Sequence, residues 1–175
     1  MPKKIIINES GGPDVLKYVD YSLTNDQPKE NEIRIKHSSI GVNFIDTYHR
    51  SGLYPVGLPT GIGLEAVGRV VEVGSNVEMF GVGDRVGYIA PPLGAYCEVR
   101  DYPAEKAFNI PDEISDDEAA SVLLKGMTVE YLFNRTYKIG AGENILFHAA
   151  AGGVGLIACQ WARSVGSHLI GTVGS

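Results

Sequence analysis

An apolar strand, a turn of small residues and a helix follow one another directly between Gly142 and Arg163. The run Ile145-Leu146-Phe147 predicts a buried strand, and the apolar positions from Val154 to about Val165 predict a helix. In such a unit the first N–H groups of the helix and its dipole favour a bound anion. The segment therefore predicts a βα unit of an α/β sheet, which is a strong constraint on the fold.

The turn departs from the G-x-G-x-x-G pattern of dinucleotide sites at one position, since Ala150 stands where the first glycine belongs. Gly152 and Gly155 hold the other two positions, where a Cβ atom would keep a phosphate away or spoil the packing of helix on strand. The pattern predicts that a cofactor pyrophosphate binds at Gly152, Gly153, Val154 and Gly155. The alternative is an ordinary structural turn between a strand and a helix.

The end of the second predicted strand indicates which dinucleotide binds. This strand is expected at His168–Val173, and an acid about 20 residues beyond the glycine motif would bind the ribose 2′-hydroxyl of NAD. Gly174 and Ser175 occupy that place, and they leave room for a 2′-phosphate. We expect NADPH as the cofactor, with Gly174 and Ser175 among its contacts.

Net charge and the distribution of basic residues argue against nucleic acid as a partner. The chain carries a net charge of −6, and no basic cluster is larger than the pair Lys3-Lys4. No apolar run approaches the length of a membrane span, and the first residues lack the pattern of a signal peptide. Cys97 and Cys159 lie far apart and are expected to be free thiols. These features predict a cytoplasmic protein.

Short strand patterns separated by glycine-rich turns fill the chain from Met1 to about Val99. Their number and spacing predict a closed or partly open β-barrel. The predicted strands are Ile5–Ile7, Glu32–His37, Ala66–Val73, Asp84–Ile89 and Ala95–Arg100.

A helical pattern begins after Pro111. Ser115 and Glu118 have the spacing of a capping box, which predicts the start of a helix that runs to about Leu124. The apolar positions after Lys125-Gly126 predict a second helix. We place the domain boundary there, with domains at residues 1–124 and 125–175. The second domain has two predicted strands, whereas a stable sheet usually needs three or more. We therefore expect a fragment or one piece of a split assembly, whose sheet is covered by a homo-oligomer or a complementing chain.

Several motifs give the whole chain a specific resemblance to one family. They are Gly11-Gly12-Pro13-Asp14-Val15-Leu16, Gly41-Val42-Asn43-Phe44-Ile45-Asp46-Thr47-Tyr48, Arg50-Ser51-Gly52-Leu53-Tyr54-Pro55, Gly83-Asp84-Arg85-Val86, Lys125-Gly126-Met127-Thr128 and the segment from Gly142 to Arg163. With them the chain resembles the N-terminal portion of bacterial zeta-crystallin-like quinone oxidoreductases, a zinc-free branch of the medium-chain dehydrogenase/reductase superfamily.

The resemblance implies a mixed α/β fold, in which a GroES-like β-barrel domain precedes the first βαβ unit of an incomplete Rossmann domain. It also implies NADPH-dependent reduction of quinones by direct hydride transfer, and usually a homodimer. Family members are almost twice as long as this chain.

The same resemblance implies that no metal takes part. Zinc-dependent relatives carry a Gly-His-Glu triplet at the metal site, and this chain has Gly63-Leu64-Glu65 there. A catalytic zinc needs three protein ligands, and the His and Cys residues have no such spacing. Without a metal to polarise a carbonyl, the substrate must accept hydride readily. Quinones do so, because hydride addition produces an aromatic hydroquinone.

Tyr48 and Tyr54 are the candidate catalytic residues. Their flat rings can stack on a quinone, and their hydroxyl groups can donate to its oxygen. The resemblance implies that both line the substrate cleft. The alternative is a pair of surface tyrosines at a turn of the barrel.

The resemblance also implies that the loop from Asn43 to Tyr48 touches the cofactor. The candidate contacts are Asn43, Phe44, Asp46, Thr47 and Tyr48. Asn43 can donate to the nicotinamide carboxamide or the ribose, whereas Asp46 can equally be a turn or helix-cap carboxylate.

Two further cofactor contacts are expected in the linker helix. Thr128 matches a family position near the nicotinamide, with a helix-start hydroxyl as the alternative. Tyr131, one turn later, either reaches the cofactor ribose or phosphate or packs in the core.

Two other functions stay open. Zinc-free relatives also reduce activated C=C bonds of enoyl or enal substrates with NADPH, and the pocket residues that choose the acceptor lie partly beyond Ser175. A truncated, non-catalytic binding or structural piece is the third hypothesis, motivated by the stop after one βαβ unit.

Overall fold

The computed structural model describes residues 1–174, which fall into two compact units. The first runs from Met1 to Ser121, and the second begins at Val122. The domain limits 1–124 and 125–175 stay a prediction. The mixed α/β composition expected from the sequence is confirmed.

The strands and the longer helices of the described residues have the following bounds. The strands are β1 (Lys3–Ile7), β2 (Lys17–Asp20), β3 (Glu32–Gly41), β4 (Thr60–Gly61), β5 (Glu65–Val73), β6 (Arg85–Tyr88), β7 (Val99–Pro103), β8 (Phe108–Asn109), β9 (Asn144–Phe147) and β10 (His168–Gly171). The helices are α1 (Phe44–Ser51), α2 (Asp116–Glu130) and α3 (Gly153–Ser164), and a π-helical segment, Tyr131–Thr136, follows α2 directly. Of the helices in residues 1–174, none is long and apolar enough to cross a bilayer.

Two antiparallel sheets form the first unit. The larger has the strand order β7-β3-β5-β6-β8 and the smaller has the order β2-β1-β4. The central pair, β3 and β5, ends where Gly41 lies opposite Glu65, so α1 begins just beyond the edge of the sheet. The larger sheet buries β-branched and aromatic side chains, which suit a pleated surface. They include Ile33, Ile35, Val70, Val86, Tyr88 and Tyr102.

Arg34 is a buried cation in the larger sheet. Its guanidinium donates to Asp101, with 2.7 Å from Nε to Oδ1, and to Glu72, with 2.9 Å from Nη1 to Oε2. The same group donates to the carbonyl oxygens of Asn25 and Asp26, both at 2.8 Å. These bonds tie the loop before β3 to the sheet, because a buried charge needs partners for its donors.

The second unit packs α3 against two parallel strands, β9 and β10. Its core contains Val129, Phe133, Ala158 and Ala162, with Ile145, Phe147 and Leu169 packed at its margin. The strand residues between these, Leu146 and Ile170, are exposed. One face of the two-stranded sheet is therefore half-buried, and the opposite face carries exposed apolar side chains.

Residues 44–51, which the sequence interpretation treats as part of a loop, form a helix. That expectation is wrong, because Asn43 and Asp46 begin a helix: Asp46 Oδ2 accepts from Asn43 N–H at 2.9 Å, and the helix continues to Ser51. Asp46 is the buried residue of α1.

The last strand predicted in the first unit is displaced. Ala95 and Tyr96 donate their N–H groups to the carbonyl oxygens of Gly63 and Ile62, so this stretch is held as a loop. The strand β7 begins at Val99 instead of Ala95 and pairs with β3.

The predicted break at Lys125-Gly126 is also wrong, since α2 continues to Glu130. A glycine inside a helix costs only about 1 kcal/mol relative to alanine, which the neighbouring turns offset. The capping box at the start of α2 is confirmed. Ser115 N–H donates to Glu118 Oε2 at 2.9 Å, and Glu118 N–H donates to Ser115 Oγ at 3.2 Å.

Candidate functional site

The turn between β9 and α3 has the geometry expected of an anion-binding helix start. Gly152 is the N-cap in an extended conformation, and α3 begins at Gly153 and runs for 12 residues. Gly152 and Gly153 are exposed. The Gly152 N–H donates to the Ala149 carbonyl at 2.9 Å. The N–H groups that follow it, in the first turn of α3, lack intrahelical acceptors and lie at the positive end of the helix dipole.

Gly155 allows α3 to approach the preceding turn closely. A Cβ atom at this position would lie 2.5 Å from Ala149 O and 2.5 Å from Ala150 Cα, which is closer than real Cβ contacts. Ala149 adopts a φ of 56°, a left-handed conformation that is uncommon for a residue with a side chain. The third glycine of the motif is thus required by backbone packing.

Lys125 lies beside the start of α3 and was missed by the sequence interpretation as a site residue. A Cβ atom on Gly153 would be 3.0 Å from both Cδ and Cε of the Lys125 side chain. The motif Lys125-Gly126-Met127-Thr128 was the signal that could have identified it. Its stem brings a cationic side chain to the same helix start, where anions are favoured.

Gly174, one of the two predicted contacts at the end of β10, is exposed. The other predicted contact at this place, Ser175, lies outside the described residues.

Tyr48 and Tyr54 form an aromatic pair in the first unit. Their ring centroids are 5.1 Å apart with an interplanar angle of 61°, and Tyr54 N–H donates to the Tyr48 carbonyl at 3.1 Å. Phe44 packs edge-on against Tyr48 with centroids 5.3 Å apart. Phe44 and Tyr54 are exposed, so the cluster presents aromatic surface that a flat ligand can contact.

Asn43 and Asp46 are buried and bound to protein groups. Asp46 Oδ2 accepts from Asn43 N–H at 2.9 Å and from the Tyr96 hydroxyl at 2.8 Å. Asn43 Nδ2 donates to Glu65 Oε2 at 2.6 Å. These contacts give Asp46 the geometry of its alternative interpretation, a helix-cap carboxylate. Thr47 donates its hydroxyl to the Phe44 carbonyl at 2.6 Å within α1.

The two candidates in the linker helix differ in exposure. The Thr128 hydroxyl donates to the Leu124 carbonyl at 2.7 Å, a bond within the helix. Tyr131 is exposed, so it does not pack in the core of the second unit.

Leu64 and Glu65 of the altered triplet are both buried. Among the described residues, no group of three or more His, Cys, Asp or Glu side chains comes together in a way that could hold a metal ion. His37 in the first unit is bound to Cys97 O and to the Tyr88 hydroxyl, and burial lowers its pKa to about 4.

Comparison with known proteins agrees with this geometry. Residues 29–139 match the family model for the alcohol dehydrogenase GroES-like domain, and the chain belongs to that family. A quinone oxidoreductase of Pseudomonas aeruginosa is 54% identical over 176 residues, which cover 100% of this chain and 54% of that protein. A 2-haloacrylate reductase of Burkholderia sp is 43% identical, with 96% of this chain and 52% of that protein covered.

A solved structure also resembles this chain closely in both fold and sequence. The crystal structure of Escherichia coli quinone oxidoreductase complexed with NADPH superposes with a TM-score of 0.95 and 52% identity, over 99% of this chain and 53% of that chain. The chain spans about half the length of the curated relatives it matches. The predicted resemblance to bacterial quinone oxidoreductases is confirmed, as is the GroES-like domain.

Proposed function

We propose that the complete protein containing these residues reduces quinones with NADPH by direct hydride transfer and without zinc. The observation that carries the proposal is the exposed start of α3 at Gly153, held close to the preceding turn by Gly155. The 52% identity to an Escherichia coli quinone oxidoreductase complexed with NADPH supports it.

In the second unit, the amides of Gly153, Val154 and Gly155 would bind the cofactor pyrophosphate. Lys125 would add positive charge at the same helix start. Gly174 and Ser175, which carry no acid, would accommodate the ribose 2′-phosphate. Thr128 and the exposed Tyr131 stay proposed cofactor contacts. When bound, NADPH supplies the hydride.

In the first unit, Tyr48 and Tyr54 would stack on the quinone and donate hydroxyl protons to its oxygens. Phe44 would extend the apolar surface that excludes water from the acceptor. Asn43, Asp46 and Thr47 remain proposed cofactor contacts. Asn43 and Asp46 are buried, so their contribution includes holding the helix that carries Tyr48.

Zinc independence is supported by the donor set. Leu64 occupies the place of the ligand histidine in the triplet, and a leucine side chain cannot bind a metal. A quinone needs no Lewis acid, because the hydroquinone product gains aromaticity. The reaction then depends on holding donor and acceptor together in a dry site.

The test is NADPH oxidation by the complete protein with para-benzoquinone and naphthoquinone as acceptors. We expect turnover, a loss of roughly tenfold to a hundredfold in kcat/KM for Tyr48→Phe, and no loss for Tyr18→Phe. Tyr18 is a matched control, since it is an exposed tyrosine on β2. Failure to oxidise NADPH with any quinone would reject the proposal.

An NADPH-dependent reductase of activated C=C bonds is the second candidate. The 43% identity to a 2-haloacrylate reductase supports it, because both acceptors take hydride without a metal. Turnover of a 2-haloacrylate or an enal with no turnover of quinones would favour this activity.

Assembly and location are also proposals. We propose a homo-oligomer or a complementing chain that covers the exposed face carrying Leu146 and Ile170. A cytoplasmic location is consistent with the free thiols of Cys97 and Cys159.

A further inference from the structure

The helix α1 is short, and its buried residue is charged. It spans eight residues, and its buried residue is Asp46, a carboxylate. Helices of this length are marginal in water and depend on tertiary contacts for their stability. Most surface helices are held by an apolar face. For α1 the buried residue is polar, so hydrogen bonds contribute to where the helix lies. One of them is at its C-terminal end, where Gly11 N–H donates to the Arg50 carbonyl at 2.9 Å.

Tyr96 supplies such a contact from a distant part of the chain. Its hydroxyl donates to Asp46 Oδ2 at 2.8 Å across 50 residues of sequence. Asp46 Oδ2 also accepts from Asn43 N–H, which caps α1, while Oδ1 is buried without a hydrogen-bond partner among residues 1–174. The bond from Tyr96 therefore connects the helix cap to the loop before β7.

The Tyr96 ring lies directly against the backbone of Gly63. A Cβ atom on Gly63 would overlap the ring, and Gly63 has a φ of 92°, so a glycine is needed there on two counts. The Tyr96 backbone N–H donates to the Ile62 carbonyl at 3.1 Å. Burial and the hydrogen bond to Asp46 raise the pKa of the Tyr96 hydroxyl, so it stays protonated as a donor at neutral pH.

A second tether acts at the other side of the helix start. Glu65 is fully buried at the end of β5, and its Oε2 accepts from Asn43 Nδ2 at 2.6 Å. The close approach of Glu65 to Gly41 leaves no room for a side chain at residue 41. The start of α1 is thus fixed from β5, while Tyr96 fixes Asp46.

We propose that Tyr96 is a positioning residue that acts through Asp46 to place Tyr48 for hydride acceptance by the substrate. Tyr48 lies two residues beyond Asp46, and its ring contacts Phe44 and Tyr54. A shift of α1 would move the ring and hydroxyl of Tyr48, and a misplacement of about 1 Å can cost about a hundredfold in rate. The inference rests on the proposed function of Tyr48.

The variant Tyr96→Phe tests this, because it keeps the ring on Gly63 and removes the hydroxyl. Tyr102→Phe is the matched control. The Tyr102 hydroxyl also donates one hydrogen bond of 2.8 Å, to the Ala90 carbonyl, and Tyr102 lies in the core away from α1. Both variants lose a single phenolic hydrogen bond.

The measurements are hydrogen exchange of the peptide covering residues 43–54 and steady-state kinetics of the complete protein. For Tyr96→Phe we expect faster exchange in α1 and a kcat for quinone reduced roughly tenfold to a hundredfold, with the KM for NADPH little changed. For Tyr102→Phe we expect wild-type exchange in α1 and wild-type kcat. An Asp46→Ala background should abolish the effect of Tyr96→Phe on kcat, since the contact is already lost.

Equal exchange in α1 and equal kcat for the two variants would overturn the proposal. Should the wild-type protein fail to reduce any quinone, the proposed function fails, and hydrogen exchange alone then decides whether Tyr96 positions α1. Faster exchange confined to Tyr96→Phe would support the positioning role, and unchanged exchange would overturn it.

Should Tyr96→Phe fail to fold, Asp46→Asn provides a second test, because it keeps one oxygen to accept from the Tyr96 hydroxyl. We expect Asp46→Asn to retain the protection of α1 from hydrogen exchange, and loss of that protection would overturn the role.

Discussion

The two units of the chain differ in how completely they bury their sheets. In the first unit, Ile33, Ile35 and Tyr102 are 0% exposed. In the second unit, Leu146 is 63% exposed and Ile170 is 51% exposed. The larger sheet of the first unit thus buries these side chains fully, whereas the sheet of the second unit exposes an apolar residue on each of its two strands. Even so, the α3 turn is built by contacts within a few residues, from Ala149 to Gly155.

The largest expected effect concerns the buried cation of the first unit. Arg34→Ala removes the partner of Asp101 and leaves that carboxylate without its strongest hydrogen bonds. Breaking a buried ion pair costs about 3–5 kcal/mol. We expect chemical denaturation of the chain to show that loss. The control is Arg135→Ala in the second unit, an exposed pair with Glu130 whose loss should cost less than about 1 kcal/mol. Equal losses would contradict the comparison.

Stability of the first unit should also depend on pH through His37. Burial, the largest cause, lowers the pKa of His37 from 6.5 to about 4. Between these values the unfolded chain binds a proton that the folded chain does not, so stability falls as the pH drops from 6.5 to about 4 and is unaffected above 6.5. The contribution is about 3 kcal/mol.

Denaturation midpoints at several pH values measure this effect. In His37→Gln the decline attributable to this group should disappear, while carboxylates elsewhere keep their own contributions. An identical pH dependence in the variant and the wild type would show that His37 is not held neutral by burial.

Adjacent residues of β9 lie on opposite faces of the sheet in the second unit, so substitutions there compare how much each face contributes to stability. Ile145 packs at the margin of the core, and Leu146 is exposed. We expect Ile145→Ala to destabilise the second unit by about 2 kcal/mol, and Leu146→Ala to change it by less than about 0.5 kcal/mol. Hydrogen exchange of β9 amides in the chain measures both. A large effect of Leu146→Ala would mean that the exposed face is already covered.

Substitution of two glycines of the second unit should change stability in opposite directions. Gly155→Ala places a Cβ against backbone atoms and should destabilise the α3 turn by about 1–3 kcal/mol. Gly126→Ala meets open space inside α2 and should stabilise the helix by about 0.5–1 kcal/mol. Thermal denaturation with matched protein concentration distinguishes the two signs. Stabilisation by Gly155→Ala would show that the close approach is not required.

Sequence reasoning predicted the local features well. The β9–α3 unit was found because an apolar run, small residues and an apolar helix are adjacent in the chain, and the structure places α3 within one residue of the predicted start. The capping box of α2 was found for the same reason, since its two partners are three residues apart.

Features that depend on distant contacts were missed. The contact of Tyr96 with Asp46 joins residues 50 positions apart, and no periodic pattern reports it. Hydrogen bonds from Ala95 and Tyr96 to Gly63 and Ile62 displaced the predicted strand. In each case a tertiary hydrogen bond outweighed local preference.

An NMR titration of the chain with NADPH, read at the backbone amides, tests directly whether the start of α3 binds the cofactor. We expect the largest shifts at the start of α3, at Gly152, Gly153, Val154 and Gly155, and we expect Gly155→Ala to weaken them. Shifts confined to the first unit, or saturation binding that leaves these four amides unmoved, would contradict the claim that this helix start binds the cofactor.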